Sequence, residues 1–123
     1  MARILIIDDH DPFRKMLNLM LKQAGYDVVE ASNGEEGVNC YHKDQIDLVI
    51  TDIFMPVKEG IETSMELKAE NPAVKIIGIS GGGSQIKFNF LEQMKDFGVQ
   101  KTLEKPFVTA ELLAAVKEII QSP

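Results

Sequence analysis

At 123 residues the chain has the size of one ordinary domain, and with 45% apolar residues it can fill a core. Its formal charge of −6 is a poor match for a phosphate backbone, which sets direct nucleic-acid binding aside. One cysteine, Cys40, excludes an internal disulfide, and no apolar run nears the roughly 18 residues that a bilayer span needs. The opening "MARILIIDDH" does not read as a secretory leader, because four apolar residues run straight into acids. The expectation is a cytoplasmic protein with no membrane contact.

"RILIID" (3–8) is a short aliphatic run of the kind found in a strand buried on both faces. In 11–25, Phe13, Met16, Leu17, Met20 and Leu21 recur at helical spacing. Asp11 suits an N-cap there, Pro12 the first helical position and Gly25 a stop. "YDVVEA" (26–31) reads as a second strand and 33–44 as a short helix. "IDLVITD" (46–52) is a third strand, again closing on an acid, and 60–71 is a helix stopped by Asn71 and Pro72. "VKIIGIS" (74–80) is a fourth strand, and 85–98 a helix with apolar Ile86, Phe90 and Met94. A fifth, less apolar strand lies within 99–107. The helix 109–120 closes the series, with Thr109 as its cap and Leu112, Leu113, Val116, Ile119 and Ile120 on one face.

No repeat or low-complexity stretch interrupts this alternation, so residues 1–123 read as one α/β domain. Five strand–helix units in strict alternation imply a parallel sheet with helices on both sides. Such sheets bind ligands beyond the carboxyl ends of their strands. Asp8, Asp9, Asp52, Ser80 and Lys105 all fall at such ends, so parallel strands would gather them on one edge.

Crowded carboxylates repel, and one must take a proton unless a cation sits among them. An all-oxygen donor set favours magnesium over zinc, and His10 does not follow zinc-site spacing. A single acid at such a position is as readily a helix cap or a solvated group. Lys105 alone is readily a surface lysine, and Ser80 a turn residue before three glycines. Acids at two strand ends with a lysine at a third make a stronger pattern. Asp52, held by a central strand, can attack phosphorus and form an acyl phosphate. Lys105 and Ser80 would then offer a cation and a hydroxyl to the phosphoryl oxygens.

"IIDDH" (6–10), "DLVITDIFMP" (47–56), "IGIS" (77–80) and "LEKPF" (103–107) together resemble the receiver domains of two-component response regulators, the CheY-like family. The resemblance runs along essentially the whole chain. It implies a flavodoxin-like (βα)5 three-layer sandwich with sheet order 2-1-3-4-5. It makes Asp52 the phosphoacceptor. It assigns Mg2+ to Asp9, Asp52 and the backbone carbonyl of Phe54, with Asp8 acting through the metal's water. Ser80 becomes the switch hydroxyl, Gly81 an amide donor in the phosphoryl pocket and Lys105 the paired cation. The bond to Pro106 is expected to be cis. The implied donor is a sensor histidine kinase or a histidine phosphotransfer protein. The implied output is an unidentified protein docking on the 85–120 face, with a homodimer on phosphorylation as a further outcome. On this reading the chain is not an enzyme beyond its own phosphorylation and dephosphorylation. One departure stands out: Thr102 occupies the place where the family often carries a rotating Tyr or Phe.

Three other classes fit less well. A haloacid-dehalogenase-like phosphatase needs a second acid two residues after its nucleophile, where Phe54 stands, and 123 residues leave no room for its cap. A flavin or dinucleotide binder would need G-x-G-x-x-G after the first strand, where acids stand instead. A pseudo-receiver, binding partners without phosphate, would not need the full set of acids, hydroxyl and lysine.

Overall fold

The computed structural model describes residues 2–53, 60–80 and 95–122. Five strands run in chain order: β1 (Arg3–Ile7), β2 (Asp27–Ala31), β3 (Leu48–Asp52), β4 (Ile76–Ser80) and β5 (Lys101–Glu104). Four helices lie between or after them among the described residues: α1 (Asp11–Gln23), α2 (Gly34–Lys43), α3 (Gly60–Glu70) and α4 (Thr109–Gln121). Of the helix expected over 85–98, residues 85–94 lie outside the described residues, while 95 and 96 are helical. None of the described helices is long and apolar enough to cross a membrane.

All four strand pairings are parallel, and the order is β2-β1-β3-β4-β5, as the resemblance implied. Period-two alternation then sorts the core into two halves. Ile4, Ile6, Leu48, Ile50, Ile77 and Ile79 point to one side, against Leu17 and Leu21 of α1 and Leu112 and Val116 of α4. Leu5, Ile7, Val49 and Ile76 point to the other, against Val38 of α2 and Leu67 of α3. Each central strand is therefore buried on both faces, which is why it reads as continuous aliphatic sequence. Gly37 lets α2 lie directly on the sheet: a methyl group there would fall inside contact distance of the Ile7 side chain.

Helix starts depart from expectation in two places. His10, not Asp11, has the extended backbone of an N-cap (φ −92°, ψ 98°), and it makes no side-chain cap bond. Asp11 is the first helical residue, and its exposed carboxylate meets Arg14 Nη1 at 2.7 Å. Similarly, Val108 rather than Thr109 is the N-cap of α4, and the Thr109 hydroxyl lies 3.6 Å from Met20 Sδ. At α2 the cap is Asn33, whose side chain accepts from the Glu36 amide at 2.8 Å. Gly25 ends α1 as expected, in the left-handed region at φ +99°, where other residues are strained.

Candidate functional site

Register builds the site. Ile7 pairs with Thr51, so Asp8 and Asp52 leave their strands side by side. Asp52 pairs with Ile79, so Ser80 sits one step beyond it on the next strand. Ser80 pairs with Glu104, so Lys105 follows at the end of β5. The Lys105 amide donates to the Ser80 carbonyl at 2.9 Å and fixes the root of the lysine side chain. The Lys105–Pro106 peptide is cis.

Asp8, Asp9 and Asp52 each offer a carboxylate oxygen, and the three oxygens lie within 4.8 Å of one another. Asp9 is exposed, whereas Asp8 and Asp52 are only 1% and 8% accessible. The Lys105 ammonium stands 3.9 Å from Asp8 Oδ2 and 3.8 Å from Asp52 Oδ2. Those distances attract, but they lie beyond a direct hydrogen bond. Asp8 Oδ1 accepts from the His10 amide at 2.8 Å, while Asp8 Oδ2 is buried with no hydrogen-bond partner. Burial pushes the Asp8 carboxyl up from its ordinary range, against the opposing pull of the His10 amide and Lys105.

A buried carboxylate oxygen with an open lone pair and two further acid oxygens nearby suit a hard divalent cation. The donors are all oxygen, which fits magnesium rather than zinc. Asp8, Asp9 and Asp52 are the described residues that could hold it.

Two other residues shape the site, and apolar periodicity concealed both. Arg14 is a charged residue only 8% exposed. Its Nη1 donates to the Asp8 backbone carbonyl at 2.8 Å, and its Nε pairs with Glu30 of β2 at 2.8 Å. Glu30 also accepts from Asn18 and stands within 3.3 Å of Lys15. Burial works against charge on both partners, yet the mutual hydrogen bonds win: Glu30 is held below the usual carboxylate range and Arg14 above its ordinary value. The Asp11–Arg14 spacing of three was the one signal available in the sequence. Gly60 is the second such residue. It starts α3 against the end of β3, and a Cβ there would fall inside contact distance of the Asp52 carbonyl oxygen and 2.8 Å from Ile53 Cα.

Ser80 is buried at the end of β4, and Thr102 is half-buried on β5, beside Gly78. Phe54 and Gly81, named in the sequence reading as a metal-binding carbonyl and an amide donor, lie outside the described residues. Cys40 is partly buried, and burial together with Glu36 and Asp44 raises its thiol pKa, which makes it a poor nucleophile.

The comparisons with known proteins agree with this geometry. The family model for the response regulator receiver domain matches residues 4–117. A probable transcriptional regulator, ycf27, from Guillardia theta is 33% identical over 119 residues, covering 97% of this chain and 45% of that protein. The autoinducer 1 sensor kinase/phosphatase LuxN of Vibrio campbellii is 29% identical over 98 residues, covering 80% of this chain and 12% of that protein. The chain thus spans less than half the length of both. The response regulator TrrA from Thermotoga maritima, solved in complex with Mg2+–BeF, superposes with a TM-score of 0.84 at 30% identity, covering 97% of this chain and 99% of that one. With the parallel order 2-1-3-4-5, an acid cluster and a lysine at one sheet edge, and a family match over nearly its whole length, this chain belongs to the response regulator receiver domain family.

Proposed function

We propose that residues 1–123 work as one receiver module that accepts a phosphoryl group on Asp52 from the histidine of a sensor kinase or a phosphotransfer protein. The observation that carries this reading is the pair of buried carboxylates, Asp8 and Asp52, sharing the Lys105 ammonium at the edge where the parallel strands end. Asp52 is held for attack by its strand, with the Thr51 hydroxyl donating to its backbone carbonyl at 3.0 Å. Lys105 offsets charge on the phosphoryl oxygens, and Ser80 and Gly81 supply a hydroxyl and an amide. Asp8, Asp9, Asp52 and the Phe54 carbonyl would hold Mg2+, which when bound neutralises charge between the carboxylates and the incoming phosphoryl group. The TrrA complex with Mg2+–BeF supports that choice of metal.

Phosphorylation biases a two-state equilibrium and thereby partner binding on the 85–120 face, with dimerisation as one outcome. The names of the relatives, a sensor kinase/phosphatase and a probable transcriptional regulator, support a signalling setting, and a cytoplasmic location is part of the same proposal. The chain's own chemistry is confined to gaining and losing this phosphoryl group, so it is not an enzyme acting on other substrates.

The test is labelling by acetyl phosphate, read by intact mass, with and without Mg2+. The expected result is a single phosphoryl adduct that needs Mg2+ and disappears in Asp52→Asn. An Asp52→Asn protein that labels as well as the native one would rule Asp52 out, and a native protein that never labels would leave a phosphate-independent interaction module.

A further inference from the structure

Lys105 has a third neighbour besides its two carboxylates: its ammonium lies over the face of Phe13, 4.0 Å from the ring centroid. Phe13 belongs to α1, and its ring meets Phe107 edge-to-face, with centroids 5.9 Å apart and planes at 81°. Phe107 follows Lys105 by two residues, so one short segment both delivers the lysine and braces the ring it rests on. Both rings are partly buried and pack against the apolar core between the sheet, α1 and α4.

From this geometry we infer that Phe13 is a positioning residue for Lys105: its π face holds the ammonium between Asp8 and Asp52 without letting it bond to either. The inference rests on the reading of Asp52 as phosphoacceptor, for which a poised lysine matters. A lysine side chain has four rotatable bonds and loses much freedom when fixed. Two carboxylates alone would draw it into a direct salt bridge, and open water would draw it out, since its side chain keeps 26% of its surface exposed. The aromatic face offers a third attraction to the same ammonium, at 4.0 Å from the ring centroid. The ammonium rests where the three pulls balance, at 3.8–4.0 Å from each. A lysine so held is available to an arriving phosphoryl oxygen without first breaking a hydrogen bond. The ring also links the lysine to α1, whose next residue, Arg14, grips the Asp8 carbonyl. One helical turn thereby sets both the acid loop and the cation.

Phe13→Leu keeps an apolar side chain and removes the π face, whereas Phe13→Tyr keeps both. In the unphosphorylated protein, NMR should show the Lys105 ε-methylene protons shifted upfield by the ring in the native protein and in Phe13→Tyr, and unshifted in Phe13→Leu. Phosphorylation by acetyl phosphate should slow about three- to tenfold in Phe13→Leu, recover in Phe13→Tyr, and show an unchanged half-saturating Mg2+ concentration in both. A general distortion of the site would move the Mg2+ requirement as well. Identical Lys105 shifts in all three proteins overturn the inference, as does an equal phosphorylation rate in Phe13→Leu. If the native protein takes no phosphoryl group at all, the receiver reading fails separately, and the NMR comparison still decides where the lysine is held.

Discussion

The residue that departs most from ordinary burial rules is Asp8. A carboxylate at 1% exposure with one unpartnered oxygen costs free energy in the metal-free protein. Asp8→Asn removes that charge while keeping the side-chain oxygen that accepts from the His10 amide. The expected outcome is a metal-free protein more stable by about 1 kcal/mol in urea unfolding. The same variant should lose most of the stabilisation that Mg2+ gives the native protein. A native protein indifferent to Mg2+ would contradict the assignment of this oxygen to a cation. The acids themselves were legible in the sequence, because charged residues ending aliphatic runs have few structural explanations. Arg14 was not legible. Helical periodicity reports apolar faces, and a buried guanidinium whose partners come from 30 and from the backbone of 8 leaves no periodic trace.

Among the elements, strands announced themselves and helix ends did not. β1, β3 and β4 are aliphatic because both of their faces are covered, so their existence followed from composition alone. Caps depend on a backbone angle and on what else the side chain can reach. Asp11 found a buried arginine and Thr109 a methionine sulfur, so neither served as the cap its residue type favours. The contact between β3 and α3 was equally hidden, because a glycine in sequence does not say what lies opposite it. Gly60 donates its amide to the Ile53 carbonyl at 3.0 Å and leaves no room for a methyl group against the Asp52 backbone. Gly60→Ala should therefore cost about 3 kcal/mol in equilibrium unfolding. It should also slow phosphorylation more than its loss of folded protein explains, because the displaced backbone is that of Asp52. A variant as stable as the native protein would show that α3 can shift freely.

Over the whole molecule, the alternation of strands and helices gave the layered α/β architecture, but the strand order came only with the family resemblance. Period and spacing do not say on which side of β1 the third strand falls. The acid response is also a property of the whole. Glu30 has a lowered folded pKa, so the stability it contributes is present above its unfolded value of 4.5 and is lost as pH falls through the lower folded value. Asp8 works in the opposite sense. Its folded pKa is raised, so it destabilises the metal-free protein at neutral pH, and that penalty fades as pH falls toward the unfolded value of 3.8. Glu30→Gln should thus be about 2 kcal/mol less stable than the native protein at pH 7, with the gap narrowing as pH falls below 4.5 and through the lower folded value. Urea unfolding across that range measures it. A gap that stays constant with pH would mean that Glu30 carries no charge-dependent share of the fold.

The crowding at Gly60 has a mechanical side. The backbone of Asp52 is braced by α3 on one flank, with no slack even for a methyl group. Within the sheet β3 lies between β1 and fully buried β4, and beyond β4 comes only β5, a four-residue strand at the margin with only Leu103 fully covered. Stiffness around the acid is therefore lopsided. A phosphoryl group on Asp52 would meet no slack at Gly60, whereas the sheet thins toward β5. Displacement should flow toward Ser80 and Lys105, so the direction of the response is set by where the molecule is compliant.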